Sequence, residues 1–186
     1  INAQGQRFHD ETQGYSEAAV HVLAQAGGVA WNVFDDALLN FAQDFPDFLA
    51  AQGAGAVQHA ADALALAQLI SCPPEALQAT LNAVQPGTDP ATGRHFKRAL
   101  QAPFHAIKVT GALFHTQGGL DIDAQGRVLR QDGTPLPNLL AAGGAARGVS
   151  GQAVWGYLSG NGLLSAIAGG HIAANTAQQL LRDPAP

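Results

Sequence analysis

Three glycine-containing segments in the second half of the sequence have residue types that let a backbone approach a flat ring or a phosphate. They are Gly118-Gly119, Gly143-Gly144 and Gly160-Asn161-Gly162. A Cβ atom at such a position would clash with a closely bound group. Each segment alone could equally be an ordinary tight turn, but their occurrence together favours a cofactor site.

Two of these segments stand where cofactors are commonly held. Gly143 follows a short apolar run, residues 139–142, and the carboxyl ends of strands in α/β sheets are frequent cofactor sites. Gly160 precedes a helical pattern over residues 161–182, in which Leu163 and Leu164 fall in the first turn. The free N–H groups and the positive dipole end of a helix favour an anionic or electron-rich group.

Motifs in a fixed order carry a family resemblance. In the second half they are His115-Thr-Gln-Gly-Gly119, Leu120-Asp-Ile-Asp123, Gly126-Arg-Val-Leu129, Pro137-Asn-Leu-Leu-Ala-Ala-Gly143 and Gly160-Asn-Gly-Leu-Leu164. In the first half they are Gly5-Gln-Arg-Phe8 with Asp10-Glu11, and Phe34-Asp35-Asp36. This order resembles the capping domain and C-terminal part of the fumarate reductase and succinate dehydrogenase flavoprotein group, over nearly the whole chain.

The resemblance implies FAD as the cofactor and an α+β (mixed α/β) fold in two parts. A helical capping-type unit with a small sheet, residues 1–102, would precede the C-terminal sheet-and-helix portion of a two-part FAD-binding domain, residues 103–186. The flavin pyrimidine edge would lie at residues 160–164. The implied cofactor contacts are His115, Gly118, Gly119, Gly143, Gly144, Gly160, Asn161, Gly162, Leu163 and Leu164.

Two residues of the capping part are candidate catalytic groups by resemblance. Arg94 matches an arginine that delivers a proton to the substrate in the resembled enzymes, and Lys97 and Arg98 follow it closely. An arginine can act as an acid only where burial and neighbouring cations disfavour its charge. Glu11 matches a glutamate of the family's proton relay, although the arginine usual after it is replaced near Tyr15. The alternatives are an Arg94 that only solvates a loop and a Glu11 that caps a hairpin.

The sequence departs from the family where a dicarboxylate substrate is held. Phe114 stands where the family has a substrate-binding histidine, and no cation lies between Gly148-Val-Ser-Gly151 and the Gly-Asn pair. Each missing charge-assisted hydrogen bond is worth roughly 1.5–3 kcal/mol. The expected substrate contacts are therefore Phe114, His115, Arg147, Trp155 and Tyr157, which form a flatter, more apolar wall. Members resembling 3-ketosteroid or tricarballylate dehydrogenases suit this wall. His115 could instead be a satisfied, partly buried histidine.

Composition excludes several other classes of protein. The net charge of −5 over 186 residues, without a basic run, argues against nucleic-acid binding. The single cysteine, Cys72, excludes disulfides and cysteine-based metal sites, and the seven histidines lack metal-ligand spacing, so we expect no metal. No apolar stretch approaches the roughly 20 residues of a membrane span. A reducing, cytoplasmic location is the expectation.

The chain has no methionine and no Gly-x-Gly-x-x-Gly segment for binding the ADP half of FAD. In the resembled family that Rossmann segment precedes the capping domain, so we expect a missing N-terminal half of the same protein as a partner. Alone, this piece would bind FAD weakly and be inactive, and its exposed cofactor face could form a homodimer.

The implied function is flavin-mediated hydride transfer at a C–C bond next to a carbonyl or carboxyl group of a small molecule. The alternative is a non-catalytic binding or assembly module that retains the fold. Among the local elements, residues 56–70 predict a buried helix, residues 119–123 a strand, and residues 161–182 the last helix.

Overall fold

The computed structural model describes residues 1–113, 117–151 and 153–182, and the chain divides into two compact units, Ile1–Ala112 and Leu113–Pro186. Both units combine helices with small antiparallel sheets, which confirms the mixed fold class. The division lies after Ala112, whereas the sequence placed it after residue 102. The sequence pattern changes at Pro103 because a strand, Phe104–Thr110, begins directly after it. This strand belongs to the first unit, and the second unit begins later.

The first unit is built on a three-stranded sheet with strand order β1-β5-β2. Its strands are β1 (Val29–Asp35), β2 (Val57–Ala60) and β5 (Phe104–Thr110), and β5 pairs antiparallel with both neighbours. A two-stranded ribbon, β3 (Gly87–Thr88) with β4 (His95–Phe96), lies between β2 and β5 in sequence. Because β5 is central, this unit cannot end before residue 110.

The described part of the first unit also contains five α-helices. They are α1 (Tyr15–Leu23), α2 (Asp36–Ala42), α3 (Pro46–Gly53), α4 (Ala63–Ile70) and α5 (Pro74–Ala83). Asp35 caps α2 by accepting from Leu38 N at 3.3 Å, and Asp62 caps α4 by accepting from Ala65 N at 2.8 Å. Leu66 of α4 and Leu77 of α5 are fully buried and form the centre of the core against β2 and β5.

The predicted buried helix over residues 56–70 is wrong in its first half. Residues 57–60 form β2, and only residues 63–70 are helical. Gly55, at φ +77°, follows α3 and redirects the chain, and the Asp62 cap prevents α4 from extending backwards. Val57 and Ala60 are buried while the residues between them are exposed, so the run was less uniformly buried than its composition indicated.

The second unit pairs a short hairpin with one long helix. The hairpin consists of β6 (Arg127–Leu129) and β7 (Pro135–Leu140), and the helix is α6 (Asn161–Arg182), whose predicted bounds are confirmed. Residues 119–123, predicted as a strand, make only the isolated bridges Leu120↔Ala146 and Ile122↔Val128. Within the described residues, no helix is both long and apolar enough to cross a bilayer.

Candidate functional site

Glu11 lies between two arginines of the first unit. Arg7 Nε donates to Oε1 of Glu11 at 2.7 Å, and Arg7 Nη2 donates to Oε2 at 2.8 Å. Arg94 Nη1 donates to the same Oε2 at 3.1 Å. The carboxylate therefore joins two guanidinium groups and brings together the two candidate catalytic residues.

Arg7 is held on its other side by the turn before β4. Its Nη1 donates to Asp89 Oδ2 at 2.7 Å, and its Nη2 donates to Thr92 Oγ1 at 3.0 Å. Asp89 also accepts from the backbone N–H groups of Ala91 and Thr92. This network fixes the Arg7 side chain, which is only 11% exposed, and so fixes the position of Glu11.

Phe96 of β4 supplies an aromatic surface for both cations. The Cζ atoms of Arg7 and Arg94 lie 4.7 and 4.9 Å from the centre of its ring. These are cation–π distances, and the contacts orient both guanidinium planes. Arg94 Nε is buried and makes no hydrogen bond within the described part of the chain. A buried donor without an acceptor costs about 1–3 kcal/mol, so this nitrogen favours an acceptor brought by a ligand.

The hydrogen bonds among Arg7, Glu11 and Asp89 favour the charged form of each of these side chains. Hydrogen bonding to Glu11 raises the pKa of Arg7, and the hydrogen bond to Asp89 adds to this increase. Burial acts in the opposite direction and is outweighed. Burial pushes the pKa of Glu11 upward, but its hydrogen bonds and the Arg7 and Arg94 charges outweigh this and lower it. Hydrogen bonds from Thr92 and then Arg7 lower the pKa of Asp89 to about 2. Glu11 is therefore an anion at neutral pH.

Of the two cations expected beside Arg94 from the sequence, Lys97 and Arg98, the second is paired with another residue. Arg98 forms a two-point ion pair with Asp35, with Nη2 donating to Oδ1 at 2.7 Å and Nη1 donating to Oδ2. Hydrogen bonding to Asp35 raises the pKa of Arg98, so its charge is already matched. Arg7, which the sequence motif did not single out, supplies the neighbouring cation. Its signal in the sequence was its place in the motif Gly5-Gln-Arg-Phe8, to which no role had been assigned.

A cavity of about 620 Å³ in the first unit borders the cluster. Its walls combine cations with aromatic and aliphatic side chains from β1 and α5. Lining residues include Arg7, Glu11, Arg94, Phe96, Trp31 and Leu81. The volume lies in the range of small-molecule sites, and the guanidinium groups provide the few polar contacts that orient a ligand.

The six glycines predicted to contact the cofactor divide into two groups by what surrounds them. A Cβ atom on Gly119 would lie 2.5 Å from the backbone carbon of Ala146, and one on Gly143 would lie 3.3 Å from Ala166. Both therefore allow close packing within the unit. The other group would meet no atom within 4 Å and comprises Gly118, Gly144, Gly160 and Gly162. Open space at these glycines is what a cofactor contact requires.

At the start of α6, the first residue is buried and hydrogen-bonded, and the leucines that follow are exposed. Asn161 is only 3% exposed, and its Nδ2 donates to Ser150 Oγ and to Leu158 O. Gly160, at φ +80°, makes the turn that leads into this first residue of the helix. Leu163 and Leu164 are 75% and 61% exposed. The side chain of Asn161 thus holds the helix start in place, while the two leucines and the backbone of Gly162 face outward.

The predicted substrate contacts are described only in part. Arg147 Nε pairs with Asp121 Oδ1 at 3.0 Å, and both side chains are exposed. Trp155, in the 3₁₀ turn Val154–Gly156, is 82% exposed, and Tyr157 follows that turn. Phe114 and His115 lie outside the described residues. The substrate roles of these five residues stay predictions.

Among known protein families, the model described as FAD binding domain matches residues 1–163 of the chain. The chain belongs to this FAD binding domain family. It is 29% identical over 183 residues to a fumarate reductase (cytochrome) of Shewanella frigidimarina, covering 95% of this chain and 31% of that protein. The resemblance to fumarate reductase flavoproteins is confirmed.

Two solved structures have a similar fold. The open conformation of a flavocytochrome c3 fumarate reductase matches with a TM-score of 0.74 and 28% identity, covering 96% of this chain and 32% of that one. A 3-ketosteroid Δ1-dehydrogenase from Sterolibacterium denitrificans matches with a TM-score of 0.69 and 23% identity, covering 94% and 38%. At that identity the second match shows the shared fold. The chain spans about a third of the length of these proteins.

The residues present fit the family's cofactor, FAD. Open space at Gly144, Gly160 and Gly162 leaves room for a flat group against the backbone. The first turn of α6 offers N–H groups and the positive end of a helix of 22 residues to an electron-rich edge. Gly119 and Gly143 shape this region through packing, so their predicted cofactor contacts are the least supported by the geometry.

Proposed function

We propose that this chain takes part in flavin-dependent hydride transfer at a C–C bond next to a carbonyl or carboxyl group, with Arg94 as the proton-donating side chain. The observation that carries the proposal is the shared Oε2 atom of Glu11, which accepts from both Arg7 and Arg94. FAD, when bound, supplies the hydride acceptor or donor. The polypeptide supplies a proton, orients the substrate and provides an apolar surface that excludes water.

Arg94 has the surroundings that a proton donor needs. Its Nη1 contacts Glu11, its guanidinium lies on Phe96, and Arg7 lies across the same carboxylate. Glu11 accepts a hydrogen bond from Arg94 at Oε2, so it offers a path for a proton to return to Arg94. The unpaired, buried Nε leaves a donor for the carbonyl or carboxyl oxygen of a substrate.

Glu11 and Arg7 act through Arg94. Glu11, an anion at rest, relays a proton through Oε2, and Arg7 keeps the carboxylate in a fixed orientation with its two parallel hydrogen bonds. Both are positioning residues in this proposal, with Glu11 also a proton carrier. The cavity that they border is large enough for a small unsaturated acid or ketone.

The substrate class follows from the predicted contacts of the second unit. Phe114, Trp155 and Tyr157 are aromatic, and Arg147 is the one permanently charged residue among the five predicted contacts. We propose a substrate with an extensive apolar part and a single carbonyl or carboxylate group, in preference to a compact dicarboxylate. The N–H groups at the start of α6 would hold the electron-rich flavin edge.

We also propose that residues 1–186 alone bind FAD weakly. The sequence contains no Gly-x-Gly-x-x-Gly segment, and the chain spans about a third of its relatives. Full retention of FAD by these residues alone would contradict this part of the proposal.

The test is the reoxidation of the chemically reduced flavoprotein by unsaturated acids and ketones, without oxygen, followed by flavin absorbance. Arg94→Ala and Arg94→Lys should each slow reoxidation about 10²–10⁴-fold, the usual contribution of general acid catalysis, while flavin content stays unchanged. Arg130→Ala, which removes an exposed arginine of the β6–β7 hairpin, serves as the control. Equal rates in all variants would overturn the role of Arg94. Failure of every acceptor with the wild-type protein would overturn the reaction class.

A further inference from the structure

His59 and His105 lie side by side on neighbouring strands of the sheet of the first unit. They are directly opposite in the antiparallel register of β2 and β5. Their Nδ1 atoms lie 2.7 Å apart, and the two rings are nearly perpendicular, at 84°. Directly opposite residues on neighbouring strands have their Cβ atoms close together, so the backbone itself imposes this pairing.

Asp36, the first residue of α2, fixes the buried histidine of the pair. The Nε2 atom of His105 lies 2.6 Å from Oδ1 of Asp36. Because a carboxylate only accepts, Nε2 carries the proton and Nδ1 of neutral His105 presents a lone pair towards His59. Phe34 packs against the His105 ring with centroids 5.6 Å apart, which further restricts its rotation.

The separation of the two Nδ1 atoms suits a metal with cis nitrogen ligands. Two nitrogens bound at about 2.0–2.1 Å and at a right angle would lie about 2.9 Å apart, and a tetrahedral angle would require about 3.4 Å. The observed 2.7 Å is nearer to the right-angle case. Cu(II) and Ni(II) prefer this tetragonal arrangement with imidazole ligands. A histidine ligand also commonly donates its second N–H to a carboxylate, as His105 does to Asp36.

We propose that His59 and His105 form a two-histidine site for a divalent copper or nickel ion, with Asp36 orienting the His105 ligand. His105 is only 4% exposed, while His59 lies at the surface, so the ion would enter from the solvent side and keep water on its remaining positions. Within the described residues no group of three histidine, cysteine, aspartate or glutamate side chains converges on a metal position, so the protein supplies two ligands.

Metal binding at this site would fasten β2 to β5. A ligand that binds the native state and not the unfolded chain stabilises the native state. The ion would also couple α2 to the sheet through Asp36. The sequence expectation of no metal site depended on spacing along the chain, and His59 and His105 are 46 residues apart.

The experiment is a titration of the full protein with Cu(II) alone, followed by electron paramagnetic resonance for nitrogen coupling. His59→Gln removes an exposed ligand without opening the core. His21→Gln is the matched control, because His21 also lies beside a histidine, His9, with ring centroids 5.2 Å apart. The wild-type and His21→Gln proteins should bind one Cu(II) through two nitrogens, and His59→Gln should lose at least about tenfold in affinity.

Asp36→Asn tests the orienting carboxylate separately. It should weaken Cu(II) binding about 10–100-fold while both imidazole ligands remain. Ni(II) should raise the melting temperature of the wild-type protein and leave that of His59→Gln unchanged. Equal Cu(II) binding by wild type and His59→Gln, or no bound Cu(II) in the wild type, would show that the histidine pair is a hydrogen bond only and would overturn the proposal.

Discussion

Arg7 holds Glu11 by two parallel hydrogen bonds, 2.7 Å from Nε to Oε1 and 2.8 Å from Nη2 to Oε2. Such a fork fixes the plane of the carboxylate as well as its distance. The Oε2 atom that Arg7 holds is also the atom that accepts from Arg94. The position of the proposed proton donor therefore depends on a residue that need not contact the substrate.

Arg7→Lys should expose this dependence. A lysine keeps the positive charge but cannot form the two-point contact with Glu11 or the planar contact with Phe96. We expect a kcat for reduction at least about tenfold lower, with a smaller change in KM, because the substrate contacts of Arg94 remain. A matched Arg130→Lys variant should behave as wild type. Unchanged kinetics in Arg7→Lys would contradict the positioning role.

Asp35 should make the stability of the first unit depend on acid pH. Hydrogen bonding from Arg98, against the smaller effect of burial, lowers the pKa of this nearly buried carboxyl to about 2. The stabilisation is present above its unfolded pKa of about 4 and is lost as pH falls through the folded value. Between pH 5 and 2, urea unfolding should show roughly 2 kcal/mol more loss in wild type than in Asp35→Asn. Parallel curves for the two proteins would contradict this assignment.

Gly119 and Gly162 should respond differently to the same substitution. Gly119→Ala would place a Cβ atom 2.5 Å from the backbone of Ala146, so we expect a loss of about 1–3 kcal/mol in the free energy of unfolding. Gly162→Ala meets open space at the start of α6, so stability should hold and FAD affinity should fall at least about tenfold. Denaturant unfolding and flavin titration measure both. Weaker FAD binding without destabilisation in Gly119→Ala would reverse these roles.

Strong local signals predicted much of the fold. The bounds of α6 followed from its glycine start and from a helical pattern that persists through Gly169 and Gly170. The strand β2 was missed because its four residues lie inside an alanine-rich run, and pairing with β5 decides its conformation. The boundary between the units was predicted after residue 102, before β5, for the same reason. The pairing of strands that are far apart in the sequence leaves no signal in the local sequence pattern.

The candidate site was predicted unevenly. The family resemblance pointed to Arg94 and Glu11, which the structure brings together. Arg7 was missed because its partnership with Glu11 occurs in a non-helical segment, where a spacing of four carries no structural implication. His59 and His105 were missed because the first was assigned to a helix, and their contact exists only in the register of the sheet.

The most direct measurement is the visible absorption spectrum of the purified full-length protein, before and after chemical reduction without oxygen. We predict oxidised-flavin bands that bleach on reduction and return when an α,β-unsaturated acid or ketone is added. A colourless protein that gains no flavin bands on incubation with FAD would contradict the central claim that this chain serves a flavin-dependent oxidoreductase.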